Sequence, residues 1–265
     1  MSGKRNGRRA GRAAGLVAHL AAKLGRPIVR RLSDLARESL KQPGSWRCLE
    51  IVYRNDPRTL LDRFFLSSRS ARGARSRLRV LEKEICKGVE QFARRHNPVK
   101  VISFGSGPGH EVLNAFESFK GSVAVEAICL DRETEALEYG RRLAVEKGLD
   151  KHTRYVQGNV LRMEPVATEY NIGVLSGLID YFDFEAAVSI LRMVRETLVP
   201  GGIVLVANMR RHPLASTMSA LGNWNLAYRE PEDVRDLLVQ SGYSEIAVEL
   251  EPEEVFCIGK GAKQG

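Results

Sequence analysis

The chain has 265 residues, is 43% hydrophobic and carries a formal charge of +9. Such a length accommodates one α/β domain of about 160 residues plus an N-terminal extension, and no apolar run reaches the ~20 residues of a membrane span. Four cysteines without a C-x-x-C pair and five scattered histidines argue against zinc. No metal is expected, and the cysteines read as free thiols of a reducing, cytoplasmic compartment.

The positive charge is local. Residues 1–33 contain nine basic residues (Lys4, Arg5, Arg8, Arg9, Arg12, Lys23, Arg26, Arg30, Arg31) and no acid, and the remaining 32 Lys and Arg balance the 32 acids. A neutral remainder makes nucleic acid a poor candidate substrate, because phosphate contacts need a basic surface on the domain itself. Three readings of this tail stay open. Its Gly/Arg-rich start suits a disordered, solvated segment. Leu16, Val17, Leu20 and Leu24 share a helical face beside His19 and Lys23 until Pro27, which suits contact with a membrane surface or a partner. An acid-free, arginine-rich start also resembles a transit peptide.

Residues 34–97 form the next region. Arg47 to Arg95 reads as mostly helical with a break near Pro57, and Leu78, Leu81, Ile85, Val89 and Phe92 recur at helical spacing. Ser68 to Arg77 mixes basic with small residues and reads as a solvated helical face.

The third region, residues 98–262, carries the motifs. Val99-Lys-Val-Ile-Ser-Phe-Gly-Ser-Gly-Pro-Gly-His-Glu-Val-Leu113 runs from an apolar strand through a glycine-dense loop into a helix. Backbone amides and a helix N-terminus therefore converge where a polar or anionic part of a nucleotide-like ligand can bind. The glycines at 105, 107 and 109 are not spaced as G-x-G-x-x-G, and the lysine and hydroxyl of a phosphate-cradling G-x-x-x-x-G-K-[ST] loop are missing. Val123 to Leu130 is nearly continuous in apolar residues, as a buried parallel strand is, and it ends at Asp131, where a carboxylate accepts both ribose hydroxyls or caps the following helix. Thr153–Gln157 is a short strand followed by Gly158, Asn159 and Val160. Tyr170 to Gly177 reads as a fourth strand. A helix from Phe184 to Leu198, a Pro200-Gly-Gly turn and the strand Ile203–Asn208 follow, then a helix from Pro231 to Ser241 and strands at Ser244–Leu250 and Glu254–Lys260.

From Val99 to Lys260 this order of motifs resembles the class I S-adenosylmethionine (SAM)-dependent methyltransferases. The resemblance implies a Rossmann-like α/β fold: a doubly wound, mostly parallel seven-stranded sheet with a C-terminal antiparallel hairpin, here behind a helical N-terminal extension. It implies SAM as cofactor, held by Gly105, Ser106, Gly107, Gly109, Asp131, Arg132, Asn159, Val160, Ser176 and Gly177. Two positions depart from the family pattern. Asn159 stands where an acid often meets the adenine amino group. Ser103 stands where an acid often precedes the loop, and Glu111 is the candidate to take over a polar contact. In this frame Ser68–Arg77 has a second reading, a lid placing Arg72 or Arg75 near the methionine carboxylate or an acidic substrate.

Substrate groups in this fold come from the C-terminal ends of the strands. That nominates Asp180, Tyr181 and Asp183 after the fourth strand and Asn208, Arg210, Arg211 and His212 after the fifth, with Trp224, Asn225, Tyr228 and Arg229 in the insertion behind them. Arg210 or Arg229 is expected to orient a substrate carboxylate, with Tyr181 and Tyr228 hydrogen-bonding nearby. Gly105–Glu111, Gly177–Tyr181, Ala207-Asn208 and Trp224–Arg229 are similar to a bacterial methyltransferase group that includes an enzyme making the methyl ester of a 3-hydroxy fatty acid, an extracellular signal. The expected partner is thus a small apolar acid or alcohol, with an RNA or protein methyltransferase, or a non-catalytic SAM-binding protein, as the alternatives.

Overall fold

The computed structural model describes residues 33–162, 169–211 and 225–265. The tail reading and the expectations for His212 and Trp224 lie outside the described residues.

Four helices come first: α1 (Asp34–Lys41), α2 (Trp46–Arg54), α3 (Leu60–Leu66) and α4 (Arg69–Phe92). Each begins at a Ser or Thr whose hydroxyl accepts from a backbone amide of the first turn: Ser33, Ser45, Thr59 and Ser68. Such caps satisfy donors that the helix itself leaves free. Leu81, Ile85, Val89 and Phe92 are buried along one stripe of α4, as their spacing predicts.

Then strands and helices alternate: β1 (Val99–Phe104), α5 (His110–Glu117), β2 (Val125–Asp131), α6 (Thr134–Glu146), β3 (Thr153–Gln157), β4 (Tyr170–Ser176), α7 (Phe184–Thr197), β5 (Leu198–Met209), α8 (Pro231–Gln240), β6 (Ser244–Leu250) and β7 (Phe256–Ala262). The strands lie in the order β3-β2-β1-β4-β5-β7-β6. All neighbours are parallel except β7, which runs antiparallel to both β5 and β6. The doubly wound, mostly parallel sheet with its antiparallel C-terminal strands is therefore present as expected. β5 starts earlier than the apolar run alone indicates, because Leu198 already pairs with Tyr170 across an irregularity in register.

Two apolar layers cover the sheet. Leu81, Ile85 and Val89 of α4 pack with Leu113, Phe116 and Leu137 on one face. Ile190, Leu191 and Val194 of α7 pack with Val234, Leu237 and Leu238 of α8 on the other. Burial of such side chains is worth roughly 1.5–3 kcal/mol each, so the strand ends, and everything mounted on them, are held by a continuous core.

The solvated-face reading of Ser68–Arg77 is corrected. Ala71, Gly73, Ala74, Ser76 and Arg77 are buried. A Cβ at Gly73 would lie 2.7 Å from Val255 Cβ, so the small residues let α4 approach the start of β7 closely. The arginines reach out along that contact: Arg69 donates to the Glu253 carbonyl, and Arg72 forms a 2.9 Å ion pair with the Glu253 carboxylate.

Candidate functional site

The site begins where β1 stops. Gly105, Gly107 and Gly109 have φ of +59°, +52° and +78°, a left-handed backbone that glycine adopts at no steric cost. A Cβ at Gly105 would sit 2.8 Å from Leu178 Cδ1, and one at Gly109 2.7 Å from Cys129 Sγ. The loop is thus pressed between the ends of β2 and β4, with Ser106 buried inside it.

Asp131 fixes the loop from the end of β2. Its Oδ2 accepts from the Gly107 amide at 2.7 Å and its Oδ1 from the Glu133 amide at 2.9 Å. One oxygen thus serves the glycine loop and the other the turn into α6, whose N-cap is Glu133 and not Asp131. An ionised carboxylate has about four acceptor positions, so two remain for a ligand diol. The Gly158 amide donates to the Asp131 carbonyl, which brings the end of β3 alongside. Asn159 and Arg132 are exposed there and Val160 is half-buried. The Asn159 side-chain Oδ1 accepts from the Leu161 amide and so shapes the turn after β3.

Helix α2 covers the loop, a contact the sequence did not disclose. Trp46 Cβ lies 3.7 Å from the place of a Gly107 Cβ, and its indole packs on Tyr139 at 5.1 Å between centroids. Glu50 accepts from His110 Nε2 at 2.7 Å and from the Tyr139 hydroxyl at 2.6 Å, and Arg54 Nε donates to it as well. Burial pushes the Glu50 carboxyl up, but these donors outweigh burial and hold it down at about 2.

The end of β4 forms the opposite rim. Gly177 has φ of +76° and donates to the Ala207 carbonyl. Asp180 is 3% exposed and accepts from the Met209 amide at 3.0 Å. Burial raises its carboxyl to about 6 against the opposing Met209 amide and the charges of Arg77 and Arg229. Tyr181 is half exposed and Tyr228 half-buried, its phenol pushed up by burial. Asp183 caps α7 by accepting from the Ala186 amide. Arg211 and Asn225 are exposed, and buried Asn208 donates to the Ala227 carbonyl.

Both arginines expected to meet a substrate carboxylate have other partners. Arg229 is buried and donates to the Ile179 carbonyl, Asn208 Oδ1 and the Phe182 carbonyl at 2.7–2.8 Å. Arg210 pairs with Glu230 at 2.7 Å. The lid reading fares likewise: Arg72 is paired with Glu253, and Arg75 donates to the Val52 and Leu66 carbonyls. Arg77, two positions on, is the arginine of α4 that reaches the strand ends. Its Nη1 lies 2.8 Å from the place of a Gly177 Cβ. It occupies an otherwise apolar stripe with Ala74 and Leu81, a sequence signal that passed unused.

Glu111 is 5% exposed, and burial pushes its carboxyl up against the opposing Arg77 and His110 charges. Its Oε1 is buried, and the buried Ser103 hydroxyl is the neighbouring side-chain group that favours its charged form. A clamped glycine cradle, a carboxylate with two open acceptor positions and a second, buried carboxyl beside the loop fit a nucleoside that carries an ammonium group. SAM has that chemistry. Among the described residues no His/Cys/Asp/Glu cluster could hold a metal, and no helix is long and apolar enough to cross a membrane.

Residues 40–263 match the family model described as "Putative methyltransferase". No curated protein matches the chain in sequence. In structure the chain is similar to a "possible exported protein" from Bordetella parapertussis, with a TM-score of 0.77 and 18% identity over 97% of this chain and 94% of the other. It is also similar to the SAM-dependent methyltransferase SibL, at TM-score 0.61 and 17% identity over 93% and 77% of the two chains. Magnesium protoporphyrin IX methyltransferase (ChlM) from Synechocystis PCC 6803, solved with bound SAH, gives TM-score 0.62 and 9% identity over 87% and 99%.

Proposed function

Because the chain belongs to this methyltransferase family, we propose that it moves a methyl group from SAM to an oxygen of a small acceptor, a carboxylate or hydroxyl of an apolar, fatty-acid-like molecule. The observation that carries this reading is the pairing of two rims. A glycine loop clamped by Asp131 faces a β4–β5 edge bearing Asp180, Tyr181 and Tyr228.

SAM, when bound, would supply an electrophilic methyl on a sulfonium, open to in-line attack by the acceptor oxygen with the S-adenosylhomocysteine thioether as leaving group. The protein's part is to hold both reactants and exclude water. The Gly105–Gly109 backbone and Asp131 take the ribose, and Glu111 takes the methionine ammonium in place of the acid absent at Ser103. Trp46 and Leu178 close the loop from two sides. A carboxylate acceptor is already ionised at neutral pH and needs no base, whereas a hydroxyl acceptor does. Asp180, raised to about 6, is mostly ionised at pH 7 and is basic enough to accept that proton. Tyr181 and Tyr228 hydrogen-bond to the acceptor oxygen. Arg229 and Arg210 fix the rim from behind instead of touching the acceptor.

The test is transfer of labelled methyl from SAM to a cell extract, followed by solvent partition and mild base. Label that enters the organic phase and leaves as methanol in base supports a methyl ester of an apolar acid. Base-stable label in an organic-soluble product supports the hydroxyl acceptor. Base-stable label in RNA or protein replaces the acceptor class, and no transfer at all replaces the enzyme with a SAM-binding partner protein.

A further inference from the structure

Arg77 is the most anomalous charge among the described residues. It is 4% exposed, yet its guanidinium makes one hydrogen bond, from Nη2 to the Tyr53 hydroxyl at 2.8 Å. Its Nε is buried without a partner. Glu111 and Asp180 act on it electrostatically, but neither comes within the 4.0 Å of an ion pair. A buried charge normally sits in a tight pair, because desolvation is otherwise uncompensated. A guanidinium has five donors in a rigid fork matched to a planar two-oxygen anion.

On one side that fork is faced by a glycine. Phe256 backs it, with the guanidinium carbon 4.7 Å from the ring centroid. Tyr53, from α2, orients one arm. Towards the end of β4 only glycine separates it from the site, since a Cβ at Gly177 would meet Arg77 Nη1 at 2.8 Å and Asp180 Oδ2 at 3.5 Å. We propose that Arg77 and Tyr53 form a carboxylate-binding subsite beside Gly177. A dianion such as phosphate is disfavoured there, because the two buried acids nearby repel a second negative charge. A planar monoanion matches the two-oxygen geometry of the fork and adds less negative charge beside those acids than a dianion does. The carboxylate comes from one of two sources, the methionine end of the cofactor or the acceptor. The cofactor source rests on the reading of SAM as donor.

Calorimetric binding to the full chain separates these cases. The probes are S-adenosylhomocysteine, 5′-methylthioadenosine (which lacks the amino-acid end) and dodecanoate added to the homocysteine-form complex. The proteins are wild type, Arg77→Met, Arg77→Lys and Tyr53→Phe. Loss of about 10- to 100-fold in S-adenosylhomocysteine affinity, with methylthioadenosine unchanged, assigns the subsite to the cofactor. Unchanged S-adenosylhomocysteine with dodecanoate binding lost assigns it to the acceptor. A merely structural Arg77 weakens both nucleosides alike. Where Arg77→Met does so, Arg77→Lys and Tyr53→Phe decide, since they keep a charge or remove one oxygen. If neither variant discriminates between ligands with and without a carboxylate, the proposal is overturned. Failure of S-adenosylhomocysteine to bind wild type strikes at SAM as donor instead, not at Arg77.

Discussion

Replacing Asp131 separates the two tasks its carboxylate performs. In the free protein it accepts two short backbone hydrogen bonds, from the Gly107 and Glu133 amides. Bonds to a charged acceptor contribute about 1.5–3 kcal/mol each when fully buried. Gly107 and Glu133 are only half-buried, so water replaces part of the loss, and Asp131→Ala should cost about 1–3 kcal/mol in all. For a chain of this size that is a fall in Tm of roughly 2–4 °C per kcal/mol. Binding should suffer separately. A ribose diol on the two open acceptor positions is worth about as much as one charge-assisted pair, which is about 10- to 100-fold in Kd. Thermal melts and S-adenosylhomocysteine titrations of wild type, Asp131→Ala and Asp131→Asn measure both terms. The amide variant keeps one acceptor for the Gly107 amide, so it should recover much of the Tm and little of the affinity. Full affinity in the amide variant would refute the ribose contact and leave Asp131 as a loop clamp alone.

Glu50 gives a pH prediction with a definite sign. Its folded value of about 2 lies below the ordinary 4.5, so its contribution is present above about pH 4.5 and is lost as pH falls towards 2. Urea unfolding should show Glu50→Gln less stable than wild type by up to about 3 kcal/mol at pH 7. The gap should narrow at pH 3, and an equal gap at both pH values contradicts an ionised Glu50 held by His110, Tyr139 and Arg54. Arg229→Met strands three acceptors, two of them main-chain carbonyls, so it should cost about 2–4 kcal/mol, and a melt indistinguishable from wild type would return Arg229 to the acceptor site. Asp180 has the opposite sign to Glu50. Raised to about 6 from 3.8, it is destabilising when ionised, and the penalty is relieved as pH falls through 6. Asp180→Asn should therefore melt no lower than wild type at pH 7 while losing at least about 10-fold in transfer to a hydroxyl acceptor. Wild-type transfer to that acceptor should fall below about pH 6, and a flat rate from pH 7 to 5 excludes Asp180 as the base.

The parts of the fold that were legible in sequence are those that obey local rules. β1 and β4 are buried on both faces of a parallel sheet and read as mostly apolar runs, interrupted by Lys100 and Ser103 in one and Asn171 in the other. The three left-handed glycines mark the turn from β1 into α5 because no other residue adopts that backbone so cheaply. The arginines were misjudged for an equally physical reason. Composition registers their charge but not their acceptors, and those acceptors are largely carbonyl oxygens, which every residue carries. Arg229 finds its carbonyls at Ile179 and Phe182, and Arg75 finds them at Val52 and Leu66. No pattern of side chains announces such partners. Exposure does not sort structural from functional arginines either, since Arg77 and Arg229 are both buried. What separates them is how many of their donors are satisfied. Arg229 has three acceptors and behaves as a staple between the β4 and β5 ends, whereas Arg77 has one and keeps a buried nitrogen idle. A deficit of that kind at a buried charge calls for a specific cause. Arg77 carries its deficit at the end of β4, against Gly177, where a doubly wound sheet binds its ligands.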